Sequence, residues 1–161
     1  MITVYIGLGS NLSQPVDQLQ QALVAIDQHP QIQLLNTSSF YSSCPMGPQD
    51  QPDYVNAVAA IQTTLAPLAL LDALQAIENQ QGRQRIDGRW TARTLDLDIL
   101  LFGNQEINNP RLQVPHYGLA QREFVLYPLA EIAPDLIIPP GQSLQTLVAA
   151  CAPNGLTKLT L

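Results

Sequence analysis

Between Leu95 and Phe102 the chain reads LDLDILLF, so that Leu95, Leu97, Ile99 and Leu101 alternate with Asp96 and Asp98. A period of two is the period of a β-strand, which sends the leucine side into a core and both carboxylates out of the opposite face. Such a strand is stable only inside a sheet with a buried face, and the rest of the chain must supply its neighbours and its cover. Residues 2–8 match it, with Ile2, Val4, Ile6 and Leu8 on one side. Tyr54 to Ile61 matches it again, with Val55, Ala57, Ala59 and Ile61 facing one way and Tyr54 and Asn56 the other. Ile32 to Tyr41 reads as a further strand, richer in Ser and Thr than most.

The cover comes from two helical patterns. After Ser13, a candidate cap, and Pro15 in the first turn, Val16, Leu19, Leu23 and Ile26 recur at helical spacing until His29 and Pro30. Leu65 to Gln81 repeats the pattern with Pro67 early, Leu70, Leu74 and Ile77 inward, and Gly82 at the exit. Gln75 and Glu78, three apart, share another face of that helix. The order strand, helix, strand, strand, helix, strand is that of a ferredoxin-like α+β unit, a βαββαβ core whose helices pack on one face of an antiparallel sheet. C-terminal additions follow: a hairpin over 106–114, a helical segment from Gly118 to Leu129, and a capped helix from Ser143 to Cys151.

A chain of 161 residues buries a core without a metal or disulfide staple, and it is read as one domain over 1–161. No apolar run reaches the ~18 to 20 residues of a membrane span. The opening MITVYIGLGSN suits a strand better than a signal peptide, so the expectation is a cytoplasmic protein. Cys44 and Cys151 are too few for a disulfide framework or a metal cluster and are read as free thiols.

The net charge of -6 argues against broad binding to nucleic acid or an anionic membrane. Positive charge is nevertheless gathered in one place, because four of the six arginines, Arg83, Arg85, Arg89 and Arg93, precede the aspartate strand. Two carboxylates on one strand face repel each other unless water, a cation or arginines compensate. Magnesium compensates through hard oxygen ligands and pairs naturally with carboxylates and nucleotide phosphates, while arginines suit a compact polyphosphate. The bland alternative is a solvated sheet edge beside a solvated loop.

Other residues carry weaker signals. Gly7-Leu8-Gly9-Ser10-Asn11 has neither Walker spacing nor a lysine and reads first as a tight turn before a helix, second as a source of amides for a ligand. Asn56 offers a donor and an acceptor to a heterocycle edge, and Trp90 and Phe124 offer flat faces, although core packing suits each aromatic as well. His116, between Pro115 and Tyr117 and flanked by Arg111 and Arg122, suits a phosphate or a structural hydrogen bond equally. His29 reads as structural or solvated. A serine hydrolase is poorly supported, for no nucleophile elbow or triad spacing is present.

At these residues the chain resembles the 6-hydroxymethyl-7,8-dihydropterin pyrophosphokinase family over nearly its full length. The resemblance rests on Ile6-Gly7-Leu8-Gly9-Ser10-Asn11, on Gly47 through Asn56, and on Arg89-Trp90 through Asp98. Val114-Pro115-His116-Tyr117 and Arg122 to Phe124 extend it. It implies that Asp96 and Asp98 bind two Mg2+ ions with ATP, the co-substrate. It further implies that Arg83, Arg93, His116 and Arg122 grip the phosphates, with Arg85 and Arg111 as helpers and Gln75, Glu78 and Tyr117 on the nucleotide side. Tyr54, Asn56, Trp90 and Phe124 resemble the pterin set, bordered by Ser43, Cys44 and Met46. The implied reaction joins the pterin hydroxymethyl oxygen to the β-phosphorus of ATP and releases AMP, in a monomer with loops that shift as substrates bind. Two departures stand out: Cys44 where the family often has proline, and Thr91-Ala92 in place of glycine-proline. The rivals are an RNA- or nucleotide-binding module on the same fold and a magnesium-dependent phosphohydrolase.

Overall fold

The computed structural model describes residues 1–10, 14–43, 54–81, 85–86, 89–90 and 95–160. Strand β1 (Ile2–Ser10) lies between β4 (Tyr54–Thr63) and β7 (Asp96–Phe102), antiparallel to both. The far side of β4 is shared by β2 (Ile32–Thr37) and β3 (Tyr41–Ser43), and β12 (Thr157–Lys158) pairs with β3 at the edge. The resulting order, β12-β3-β4-β1-β7 with β2 also on β4, carries the antiparallel βαββαβ topology of the ferredoxin-like fold.

Helices α1 (Pro15–Gln28) and α2 (Pro67–Gln81) cover one face of this sheet. Leu19, Ala22 and Ile26 of α1 and Leu70, Leu74 and Ile77 of α2 meet Val4, Ile6, Leu8, Leu97 and Ile99 in one apolar layer. Burying each large aliphatic side chain stabilises by about 2 kcal/mol. The C-terminal additions treat the other face: α3 (Glu123–Ile132) and α4 (Leu144–Ala150) lay Val125, Leu126, Leu129 and Leu144 against Val58, Leu100 and Leu101. The hairpin of β8 (Ile107–Asn109) and β9 (Leu112–Val114) precedes a 3-10 turn over Leu119–Gln121, and a short antiparallel pair, β10 (Ile137–Ile138) and β11 (Gln142–Ser143), stands between α3 and α4.

Three local expectations need correction. The stretch Ile32 to Tyr41 is two strands rather than one. At the break, the Ser38 N–H donates to Val58 O at 2.8 Å and the Ser38 hydroxyl accepts from the Val58 N–H at 2.9 Å, so a side chain stands in for the ladder carbonyl. Alternation along β7 stops at Leu100, because the register with β1 slips between Tyr5 and Ile6. Leu100 and Leu101 both join the α3 layer, and Phe102 returns to the α1–α2 layer. The residue preceding α1 is Gln14, at φ 60 with no side-chain cap, while Ser13 lies outside the described residues. Ser143 precedes α4 but makes no side-chain cap bond.

Among the described residues, no helix is long and apolar enough to cross a membrane. Cys151 is a free thiol, and Cys44 lies outside the described residues.

Candidate active site

Because Val4, Ile6, Leu8 and Ser10 of β1 point toward α1 and α2, Gly7 and Gly9 fall on the opposite face. The register sets Gly9 between Asn56 on β4 and Asp96 on β7, and sets Gly7 between Val58 and Asp98. Two missing side chains in the middle strand thus leave a trough across the sheet, with an amide on one bank and two carboxylates on the other. Gly7 lies in the strand expected over residues 2–8, and Gly9, expected in a tight turn, is a strand residue as well. Their spacing serves room, since a Cβ built on Gly9 would stand 2.9 Å from Asn56 Oδ1.

Helix α3 covers only part of this face, and the uncovered remainder is a cleft of about 270 Å3. Ser43, Tyr54 and Asn56 line one end, from β3 and β4, and Phe124 and Val125 of α3 line the cleft as well. Asp96, Asp98, His116 and Arg122 line the other. Eight of the candidate residues therefore share one cavity. Ala57, Leu100 and Val125 also line it, and no local pattern distinguished these apolar residues from ordinary core.

At the pterin-expected end, Asn56 Nδ2 donates to Ser43 Oγ at 2.9 Å, which fixes the carboxamide in a buried position. At the other end, the His116 main chain is held by its N–H to Leu100 O at 3.0 Å. Its Nδ1 accepts the Gly118 N–H at 3.1 Å, so the neutral ring carries its proton on Nε2, which lies 4.0 Å from Asp98 Oδ2. Burial pushes the His116 pKa below its ordinary value. The Asp98 charge opposes that shift and the Arg122 charge reinforces it. Tyr117 stacks on His116 at 4.6 Å between centroids, and the Arg122 guanidinium sits 5.2 Å from the Tyr117 ring and 5.7 Å from the Phe124 ring.

Glu78 and Arg111 are absent from the cleft lining. Glu78 is buried in α2 and its carboxylate accepts the Leu97 N–H at 2.7 Å, so it braces the backbone between the two aspartates from behind. Arg111 is bonded to Asp72 at 2.5 Å and to Gln75 Oε1 at 3.4 Å, tying the β8–β9 hairpin to α2. Arg85 and Trp90 are register partners on two short strands, β5 (Arg85–Ile86) and β6 (Arg89–Trp90). Arg83, Arg93, Cys44 and Met46 lie outside the described residues.

The donor set at the carboxylate bank consists of hard oxygens, and Asp98 keeps half of its side chain exposed to the cleft. That set fits magnesium sharing its remaining positions with phosphate and water.

A family model described as 7,8-dihydro-6-hydroxymethylpterin-pyrophosphokinase (HPPK) matches residues 5–134. The chain is 60% identical over 159 residues to a 2-amino-4-hydroxy-6-hydroxymethyldihydropteridine pyrophosphokinase of Haemophilus influenzae, covering 99% of each chain. It is 58% identical over 156 residues to the protein of that description in Pseudomonas aeruginosa, covering 97% of this chain and 96% of that one. Among solved structures, wild-type Plasmodium falciparum HPPK-DHPS with pteroate matches at a TM-score of 0.73 and 12% identity, over 92% of this chain and 44% of that one. This chain thus spans less than half of that solved chain, and at such identity the likeness supports the fold alone. On the family match and the two full-length bacterial relatives, the chain belongs to the 7,8-dihydro-6-hydroxymethylpterin-pyrophosphokinase family.

Proposed function

We propose that the trough over Gly7 and Gly9 is where the two substrates meet, with Asp96 and Asp98 holding two magnesium ions and Asn56 reading the pterin. Family membership makes the reaction ATP-dependent pyrophosphoryl transfer to 6-hydroxymethyl-7,8-dihydropterin, in folate biosynthesis. The acceptor hydroxymethyl oxygen bonds to the β-phosphorus of ATP as the bond to the α-phosphate breaks. AMP leaves, and the β and γ phosphates remain on the pterin. The observation that carries the residue assignment is the register row Asn56–Gly9–Asp96, which sets a carboxamide and a carboxylate on opposite banks of one open strand.

Bound magnesium supplies charge neutralisation and polarisation at the phosphate oxygens. The chain's own groups do the rest. His116, neutral and protonated on Nε2, donates a hydrogen bond to a phosphate oxygen, and Arg122 adds a planar cation beside it. Asn56 Oδ1, lying over Gly9, accepts from a ring or amino N–H of the pterin, while Phe124 and Tyr54 enclose the ring's faces. Holding both substrates over one floor supplies the alignment that an in-line transfer needs, and no covalent protein intermediate is required. By the same reading Arg83 and Arg93 grip the triphosphate, with Arg85, Arg111, Gln75, Glu78 and Tyr117 on the nucleotide side. Cys44, Met46 and Trp90 border the pterin.

The test supplies magnesium, ATP and 6-hydroxymethyl-7,8-dihydropterin and quantifies AMP and pterin diphosphate by mass. AMP and pterin diphosphate should appear one for one. AMP formed without pterin would mark hydrolysis and remove the acceptor assignment. Asp96→Asn and Asp98→Asn should each lower kcat by about a hundredfold or more with unchanged circular dichroism. Manganese substituted for magnesium should count two ions per ATP-bound chain by electron paramagnetic resonance, and fewer in either variant.

A further inference from the structure

The acceptor end of the cleft has a weak point in its construction. Ser43, which holds Asn56, sits on β3, a strand of three residues that runs directly into residues 44–53. So short a strand is marginal by its own ladder alone. Beyond its ladders with β4 and β12, a cluster outside the cleft fastens it. The Glu131 carboxylate on the last turn of α3 accepts the Ser39 N–H at 2.7 Å, the Ser39 hydroxyl at 3.1 Å and the Tyr41 hydroxyl. Lys158 Nζ on β12 stands 3.7 Å from the same carboxylate. One side chain thus joins α3, the β2–β3 junction, β3 and the edge strand β12.

The spacing along both elements ties this cluster to the cleft. Tyr41 and Ser43 are two apart on a strand and share a face, about 7 Å from each other. Tyr41 is also the register partner of Asn56, as Ser43 is of Tyr54. Glu131 and Phe124 are seven apart on a helix and lie on the same stripe, about 10 Å from each other. The contact between Tyr41 and Glu131 is therefore one end of a seam between β3 and α3 whose other end is the gap between Ser43 and Phe124. Electrostatics agrees: burial alone would raise the Glu131 carboxyl, but hydrogen bonds from Tyr41 and Ser39 and the charge of Lys158 hold it below the ordinary carboxylate range.

We infer that Glu131, acting through Tyr41 and Ser39, is a positioning residue for the acceptor subsite, fixing the distance between the Ser43–Asn56 bank and the Phe124 wall. The inference rests on the reading of that end of the cleft as the pterin site. Glu131 touches neither substrate. Its loss widens the gap and weakens pterin binding, while the carboxylate bank, carried on β7, keeps its geometry.

The experiment compares wild type, Tyr41→Phe, Glu131→Gln and Glu131→Ala in steady state, varying pterin and ATP separately. Tyr41→Phe keeps the buried ring and loses only the hydroxyl. It should raise the KM for pterin about fivefold, and Glu131→Ala about tenfold or more, from the loss of one and of several hydrogen bonds. Glu131→Gln, which retains an accepting oxygen, should fall between wild type and alanine. The KM for ATP should stay within about twofold throughout. Equal rises in both KM values, or a lowered Tm with both KM values unchanged in folded Tyr41→Phe, would overturn the inference. If the wild-type chain forms no pterin product, the reading of the site fails instead, so the two failures are distinguishable.

Discussion

At Gly9 the absence of a single carbon decides the shape of the cleft. The backbone there is extended and paired on both sides, and among the described glycines only Gly103 and Gly155 have positive φ. Alanine at Gly9 is therefore allowed by the main chain and favoured slightly over glycine in a strand. Its Cβ would stand 2.9 Å from Asn56 Oδ1, so the carboxamide that bonds Ser43 Oγ must shift. Gly9→Ala should raise the KM for pterin about tenfold with stability changed by less than about 1 kcal/mol, measured by steady-state kinetics and urea unfolding. Gly7 supplies the control, since the atoms nearest its added Cβ are Leu100 side-chain atoms at 3.4 Å or more, an ordinary contact. Similar effects on pterin KM from both alanines would show that floor depth, rather than Asn56, sets acceptor affinity.

Elements carry the next level, and here the sequence was readable in proportion to how local the signal is. Period-two alternation exposed β1, β4 and the first half of β7, and period 3.6 exposed α1 and α2, because one buried face writes itself into neighbouring residues. The slip at Leu100 left no trace, since Leu100, Leu101 and Phe102 are apolar on whichever face they fall. The break at Ser38 and Ser39 looked like a polar strand, for only the tertiary neighbour Val58 reveals that a hydroxyl replaces a carbonyl. The Glu131–Tyr41 link spans 90 positions and has no local signature. It does have a pH signature. Glu131 titrates below its ordinary value of 4.5 in the folded chain, so its contribution to stability is present above that value and is lost as pH falls through the lower folded one. Burial first, then the hydrogen bond to Glu131 and its charge, raise the Tyr41 phenol, which stays neutral and keeps its contribution below the ordinary 10.0. The stability gap between wild type and Glu131→Gln should accordingly be flat near neutral pH and close on acidification below 4.5, read by urea unfolding at several pH values. A gap that widens with acid would contradict the direction of the shift.

For the whole molecule, the sheet divides two tasks between its faces. The face under α1 and α2 is a continuous apolar layer, whereas the face under α3 is core at one end and cleft at the other. This division was half visible in the sequence. The aspartates and Asn56 announced a polar face, and Arg122 and Phe124 tied the segment after Gly118 to the site, but its apolar residues gave no sign of which face they would cover. The consequence is that core damage should be felt differently on the two sides. Leu19 of α1 and Leu126 of α3 are both fully buried leucines. Leu19→Ala and Leu126→Ala should each cost about 3 kcal/mol, the usual range for a leucine cavity. Leu19 lies behind the sheet, so its loss reaches the cleft only through an intact β1. Leu126 follows Phe124 and Val125 on the helix that walls the cleft, so relaxation around its cavity shifts the wall itself. Assayed well below the Tm of either variant, Leu19→Ala should keep kcat/KM for pterin within about twofold of wild type, and Leu126→Ala should lose about tenfold at equal stability cost, since small displacements of positioning groups are expensive. Equal losses in kcat/KM at matched stability would mean that the two faces are mechanically one, and that the site depends on global rigidity rather than on the placement of α3.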